Sequence, residues 1–108
     1  MENKKAVVIK LESGNKYQRL LAGSPQTAGM RSGHVNLMQG EEIGEHSTDN
    51  KEEAIIILNG KAQVLSEKSD PITAESECLI YIPANTKHNI KNIGQGVLQY
   101  VYVVSELK

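Results

Sequence analysis

Three histidines, His34, His46 and His88, are the scarcest chemistry-bearing residues of this 108-residue chain. His46 sits in a polar, glycine-punctuated stretch that starts at Gly40. That stretch passes two adjacent carboxylates, Glu52 and Glu53, and becomes the apolar run Ile55-Ile56-Ile57-Leu58 before Asn59-Gly60. A histidine and a carboxylate on either side of a loop entering a buried strand make half of a divalent metal site, because imidazole nitrogen and carboxylate oxygen are common donors to such ions. The other half has to come from elsewhere in the chain. His88, in Pro83-Ala84-Asn85-Thr86-Lys87-His88-Asn89-Ile90-Lys91-Asn92, is the one histidine downstream of His46.

The elements that position these residues read as strands. Lys5 to Leu11 is a short β-rich run, and Tyr17 to Leu21 makes a second. Met30 to Met38 alternates, with Val35 and Leu37 on one face and Ser32, His34 and Asn36 on the other, which suggests a strand covered on one side. Glu53 to Leu58 is the clearest strand, apolar on both faces. Asn59-Gly60 is a strong hairpin signal, since both positions of a two-residue loop need positive φ. The return strand is then Lys61 to Leu65, with Leu58 opposite Lys61 and Ile57 opposite Ala62. Directly opposed residues share a face. On that register Glu53, Ile55, Ile57, Ala62 and Val64 lie together, while Glu52, Ala54, Ile56, Leu58 and Gln63 lie on the other side. Ser69-Asp70-Pro71 reads as a turn, Cys78 to Ile82 as an apolar strand ended by Pro83, and Val97 to Val104 as the last strand. No segment shows helical periodicity. Short strands with frequent turn signals point to an all-β sandwich or barrel.

The two histidine stretches together resemble the two motifs of the cupin family. The first family motif runs Gly, five residues, His, one residue, His, three or four residues, Glu, six residues, Gly. Here Gly40, His46, Glu53 and Gly60 match, and Thr48 stands where the second histidine belongs. In the second motif Pro83, His88 and Asn92 match, while Glu77 and Asn85 replace the two glycines. The resemblance covers about residues 30 to 104, with core motifs at 40–60 and 77–92 of a single domain spanning 1–108. It implies a double-stranded β-helix, a small jelly-roll barrel with the site inside. It implies His46, Glu53 and His88 as ligands of one divalent metal, with Thr48 beside the metal or hydrogen-bonded to substrate. Two histidines and one carboxylate with open positions form the ligand set of non-haem Fe(II) oxygenases. Fe2+ is therefore the first choice, and Mn2+, Ni2+ and Zn2+ suit the same donors.

The remaining features narrow the class. Net charge is −1 with acids and bases interspersed, and Trp and Phe are absent. A nucleic-acid partner is not expected, because phosphate neutralisation needs a basic patch and base stacking needs aromatic rings. No apolar run approaches the ~20 residues of a membrane span, and no signal-length apolar segment follows the N-terminal lysines. Cys78 is the single cysteine, so no disulfide framework exists and a reducing cytoplasm is the simplest location. A buried, inert thiol is its default role. His34, opposite Val35 and Leu37, reads as a surface or interface histidine. Tyr100 and Tyr102 share a face of the last strand and are pocket candidates, although packing with a bonded hydroxyl is the commoner role of such a pair. Lys51 and Lys87 could attract an anionic substrate.

Metal-dependent chemistry on a small organic substrate is the leading expectation, with dioxygenase chemistry first and isomerisation of a sugar or keto acid second. The alternative is a non-catalytic binding or sensing module, with or without metal. A homodimer is expected as well. A small barrel buries one face of the Glu53–Leu58 strand, so Ala54, Ile56 and Leu58, with Leu65 nearby, need a cover. The competing cover is the run Ala6 to Leu11, folded over that face within the chain.

Overall fold

The computed structural model describes residues 4–107. Among them are nine strands and no helix: β1 Tyr17–Ala22, β2 Arg31–Leu37, β3 His46–Ser47, β4 Lys51–Asn59, β5 Lys61–Ser66, β6 Ser69–Glu75, β7 Leu79–Ile82, β8 Lys87–Asn92 and β9 Leu98–Glu106. They make two antiparallel sheets, one ordered β1-β2-β9-β4-β7 and the other β3-β8-β5-β6. The sheets share one core. Val35, Leu37, Ile55, Ile57 and Leu98 enter it from the first sheet, and Ala62, Val64 and Ile90 from the second, none more than 1% exposed. The architecture is the expected all-β jelly roll. No helix long and apolar enough to cross a membrane is present among the described residues.

Alternation of side chains along the strands decides what enters the core. In β4, the inner set is Glu53, Ile55 and Ile57, and the outer set is Ala54, Ile56 and Leu58. β4 is central, with β9 on one side and β7 on the other. Glu53 stands level with Val104 and Ile82, and Ile55 with Tyr102 and Ile80.

Several expectations are corrected. Asn59-Gly60 does not close a hairpin, because β4 and β5 lie in different sheets. Gly60, at φ +100°, carries the chain from one sheet to the other, whereas Asn59 is not left-handed and uses its side-chain amide to bond the Val97 carbonyl at 3.0 Å. A Cβ at position 60 would come 2.7 Å from the same carbonyl oxygen, so glycine is required there for space as well as for conformation. The face assignment still holds, since alternation continues on both sides of the bend and Ala62 and Val64 point inward. The run Lys5 to Leu11 forms no strand. Ser69-Asp70-Pro71 opens β6 instead of turning, with the turn one step earlier at Glu67-Lys68. β6 is an edge strand, where a residue lacking an N–H is tolerated. β2 is buried on both faces, and His34 is enclosed rather than on the surface. Cys78 is exposed, not buried.

Candidate metal centre

His46 and His88 are directly opposed on β3 and β8, so their rings project from one face of the four-stranded sheet. The ring centroids are 4.3 Å apart. Glu53 meets them from the five-stranded sheet. One donor atom from each of His46, Glu53 and His88 lies within 4.8 Å of the others. Glu53 and His88 are buried, while His46 lies on the open side.

Both rings are oriented by backbone. His46 Nδ1 lies 3.0 Å from the Gly44 carbonyl, and His88 Nδ1 lies 3.0 Å from the Thr86 carbonyl. A carbonyl only accepts, so each Nδ1 carries the proton and each Nε2 is left to the site. This outer bonding is how metal-ligating histidines are commonly fixed. Each of these two residues is itself anchored. The Gly44 N–H donates to Asn89 Oδ1, and Asn89 Nδ2 donates to Glu42. Thr86 exchanges two bonds with Thr48: the Thr48 N–H donates to the Thr86 carbonyl, and the Thr86 N–H donates to Thr48 Oγ1. Thr48 Oγ1 also donates to the Pro83 carbonyl at 2.7 Å. The threonine in place of a second motif histidine therefore braces the carbonyl that orients His88.

His88 Nε2 stands 2.9 Å from Glu53 Oε1 but makes no well-aligned hydrogen bond, leaving a buried polar atom without a proper partner. Buried polar atoms are seldom left so, and a cation between the two would satisfy both. Burial is the largest influence on the His88 pKa and lowers it. The neighbouring Glu53 carboxylate and the Thr86 carbonyl more than offset this, and the pKa lies above the ordinary value. By donor type and convergence the three residues fit a divalent ion.

The triad borders a cavity of about 510 Å³. Tyr100 and Tyr102 line it. Burial is the main cause that raises the pKa of both phenols, so both stay protonated at neutral pH. The Tyr102 ring lies over Gly33, where a Cβ would come within 2.6 Å of it, and its hydroxyl is 2.7 Å from that of Tyr17. Thr48 and Lys51 also reach the cavity wall, whereas Lys87 does not. Two lining residues, Arg19 and Arg31, were missed from the sequence. Their parity was the available signal, since Arg31 alternates with Val35 and Leu37 and Arg19 with Tyr17.

Known proteins resemble this chain in sequence and in fold. The family model described as a cupin domain matches residues 33–104. An uncharacterized protein of Methanocaldococcus jannaschii is 29% identical over 70 residues, covering 65% of this chain and 60% of the relative. A Streptomyces cyaneus protein named polyketide synthase CurC is 30% identical over 88 residues, covering 78% of this chain and 56% of the relative. The chain thus spans rather more than half the length of each curated relative. The solved structure of a cupin-family protein with a double-stranded β-helix fold, from Methanocaldococcus jannaschii, superposes with TM-score 0.75 at 23% identity, covering 94% of this chain and 91% of that one. A conserved barrel domain protein from Salinispora arenicola does so with TM-score 0.75 at 19% identity, over the same shares. These two likenesses concern the fold.

Proposed function

The chain belongs to the cupin family, and on that premise we propose that it is a metal-dependent enzyme acting on a small organic molecule, with dioxygenase chemistry first. The observation that carries the reading is the convergence of His46, Glu53 and His88, with both Nδ1 atoms already bonded to backbone. A bound divalent ion, Fe2+ first and Mn2+, Ni2+ or Zn2+ after it, would supply Lewis acidity and open coordination positions. The chain's own residues do the rest. His46 and His88 present Nε2, and Glu53 presents a carboxylate oxygen across from them. Val35, Ile55 and Ile90 wall the cavity with hydrocarbon and keep water from its inner end. The protonated phenol of Tyr100 can donate to a substrate oxygen. A relative named as a polyketide synthase supports chemistry on a small organic molecule. The exposed thiol of Cys78 supports a reducing, cytoplasmic setting.

The test is metal analysis of purified protein joined to an O2-uptake assay over small organic substrates. About one ion per chain is expected, as three ligands on one ion require, with sharp loss in His46→Ala and in His88→Ala and substrate-dependent uptake by the wild type. Full occupancy in both variants overturns the assignment. A second reading, isomerisation by proton transfer, is favoured by the 2.9 Å approach of His88 to Glu53, two titratable groups close enough to act on one substrate as acid and base. Rearranged product without O2 uptake selects it. Ligand binding with neither metal nor turnover makes the protein a binding module.

A further inference from the structure

Building on the triad as the reacting end of the cavity, we propose that the substrate is a carboxylic acid with an apolar body, its carboxylate held by Arg19 and Arg31. Three cationic side chains, Arg19, Arg31 and Lys51, line the cavity against a single acidic one, Glu53. The contacts between opposite charges among the described residues are Lys16 with Glu41 and His88 with Glu53. Neither arginine has a carboxylate partner there. Two guanidinium groups at one cavity, neither paired with a carboxylate among the described residues, focus a positive potential that an anion would neutralise.

Strand register fixes where that anion would sit. Arg31 is level with Val104 on β9, and Val104 is level with Glu53 on β4. The Cα atoms of Arg31 and Glu53 are therefore two strand spacings apart, about 10 Å. Arg19 belongs to the adjacent row of the same face, level with Gly33, which is level with Tyr102, and both arginines are solvent-exposed, at the open side of the cavity. Arg19 and Tyr102 both line the cavity. A ligand reaching from the arginines to the triad crosses hydrocarbon supplied by Val35, Ile55 and Val104. The cavity volume lies within the range of small-molecule sites.

The anion is a carboxylate rather than a phosphate. Phosphate sites draw on free backbone N–H groups at helix starts or in nests. Here both arginines stand on strands whose backbone is paired, so no nest of free N–H groups is offered to the extra oxygens of a phosphate, and the two planar guanidinium forks suffice for the two oxygens of a carboxylate.

The experiment is calorimetric titration of zinc-loaded protein with benzoate, benzamide and phenyl phosphate. Benzoate should bind saturably, with benzamide and phenyl phosphate weaker. Charge-assisted hydrogen bonds to the two arginines predict a loss of about tenfold or more for benzoate in the Arg19→Gln/Arg31→Gln double variant, with zinc still bound as in the wild type. Undiminished benzoate binding in the double variant overturns the proposal. So does benzamide or phenyl phosphate binding as tightly as benzoate, or the absence of benzoate binding to the wild type. Zinc content separates this claim from the metal reading. Wild-type protein that takes no zinc yet prefers benzoate through its arginines overturns the metal reading and supports the carboxylate site.

Discussion

Thr48 occupies the place of a family histidine and offers the site no nitrogen, but its hydroxyl is committed twice, to the Pro83 carbonyl and from the Thr86 N–H. Thr48→Val keeps the shape and removes both bonds. Loss of such outer support weakens metal affinity by roughly 10–100-fold, so a metal titration should show lower affinity at unchanged stoichiometry, with Thr48→Ser restoring most of it. An affinity unaltered by the valine would mean that backbone bonds alone hold His88. Glu53 and Glu52 make a sharper contrast, because one points into the core and the other away from it. Glu53→Gln should lose metal far more than Glu52→Gln in the same titration, and equal losses would place the carboxylate ligand elsewhere. The candidate ligands His46, Glu53 and His88 were legible from type, spacing and family motif. Thr48 was legible as a departure from that motif, but its brace was not, since it depends on Pro83 and Thr86 arriving beside it in space. Arg19 and Arg31 are exposed, as charged residues usually are, and that they border the cavity was readable only from their parity with Tyr17 and Val35.

Element by element, the sequence revealed which segments are strands and which way most residues face, because a period of two is a local property. Partner choice is not local. The Asn59-Gly60 signal favoured a hairpin, yet β4 pairs with β9 and β7, and the residue pair serves as a bend between sheets. The run Lys5 to Leu11 has strand composition but no neighbouring strand to complete its hydrogen bonds, and composition alone could not reveal that. Asn85, replacing a motif glycine, is left-handed at φ 53°, a conformation that asparagine tolerates. Glu77, replacing the other, holds the same region at φ 68° and is solvent-exposed. A left-handed conformation costs a residue with a Cβ roughly 1–2 kcal/mol. Glu77→Gly should therefore stabilise the protein by about 1 kcal/mol, less the greater freedom of glycine in the unfolded chain, measured by urea denaturation. Destabilisation would show that the Glu77 side chain contributes more than its backbone strain removes.

For the molecule as a whole, the N-terminal segment does not cover the sheet as an intrachain strand would. Val7 and Val8 are 65% and 98% exposed, and so are large parts of Leu79 (66%) and Tyr81 (58%) on the edge strand β7. Leu58, on the outer face of β4, is exposed as well. We therefore expect a homodimer in which a second copy covers this outer face. Light scattering at micromolar concentration should give twice the chain mass, and Ile56→Glu should yield a destabilised monomer. A monomeric wild type would reject the dimer. The candidate site has one more consequence at this scale. His46 and His88 stand on one sheet and Glu53 on the other, so an ion held by all three would act as a rivet through the sandwich. Such an ion binds the folded chain and not the unfolded one, and at a hundred times its dissociation constant it adds about 2.7 kcal/mol by mass action. Zinc titrated into chelator-treated protein should raise the melting temperature with concentration, and His88→Ala should abolish the rise. Heating would then part the two sheets only after the rivet is lost, making resistance to unfolding a readout of occupancy that needs no knowledge of the substrate.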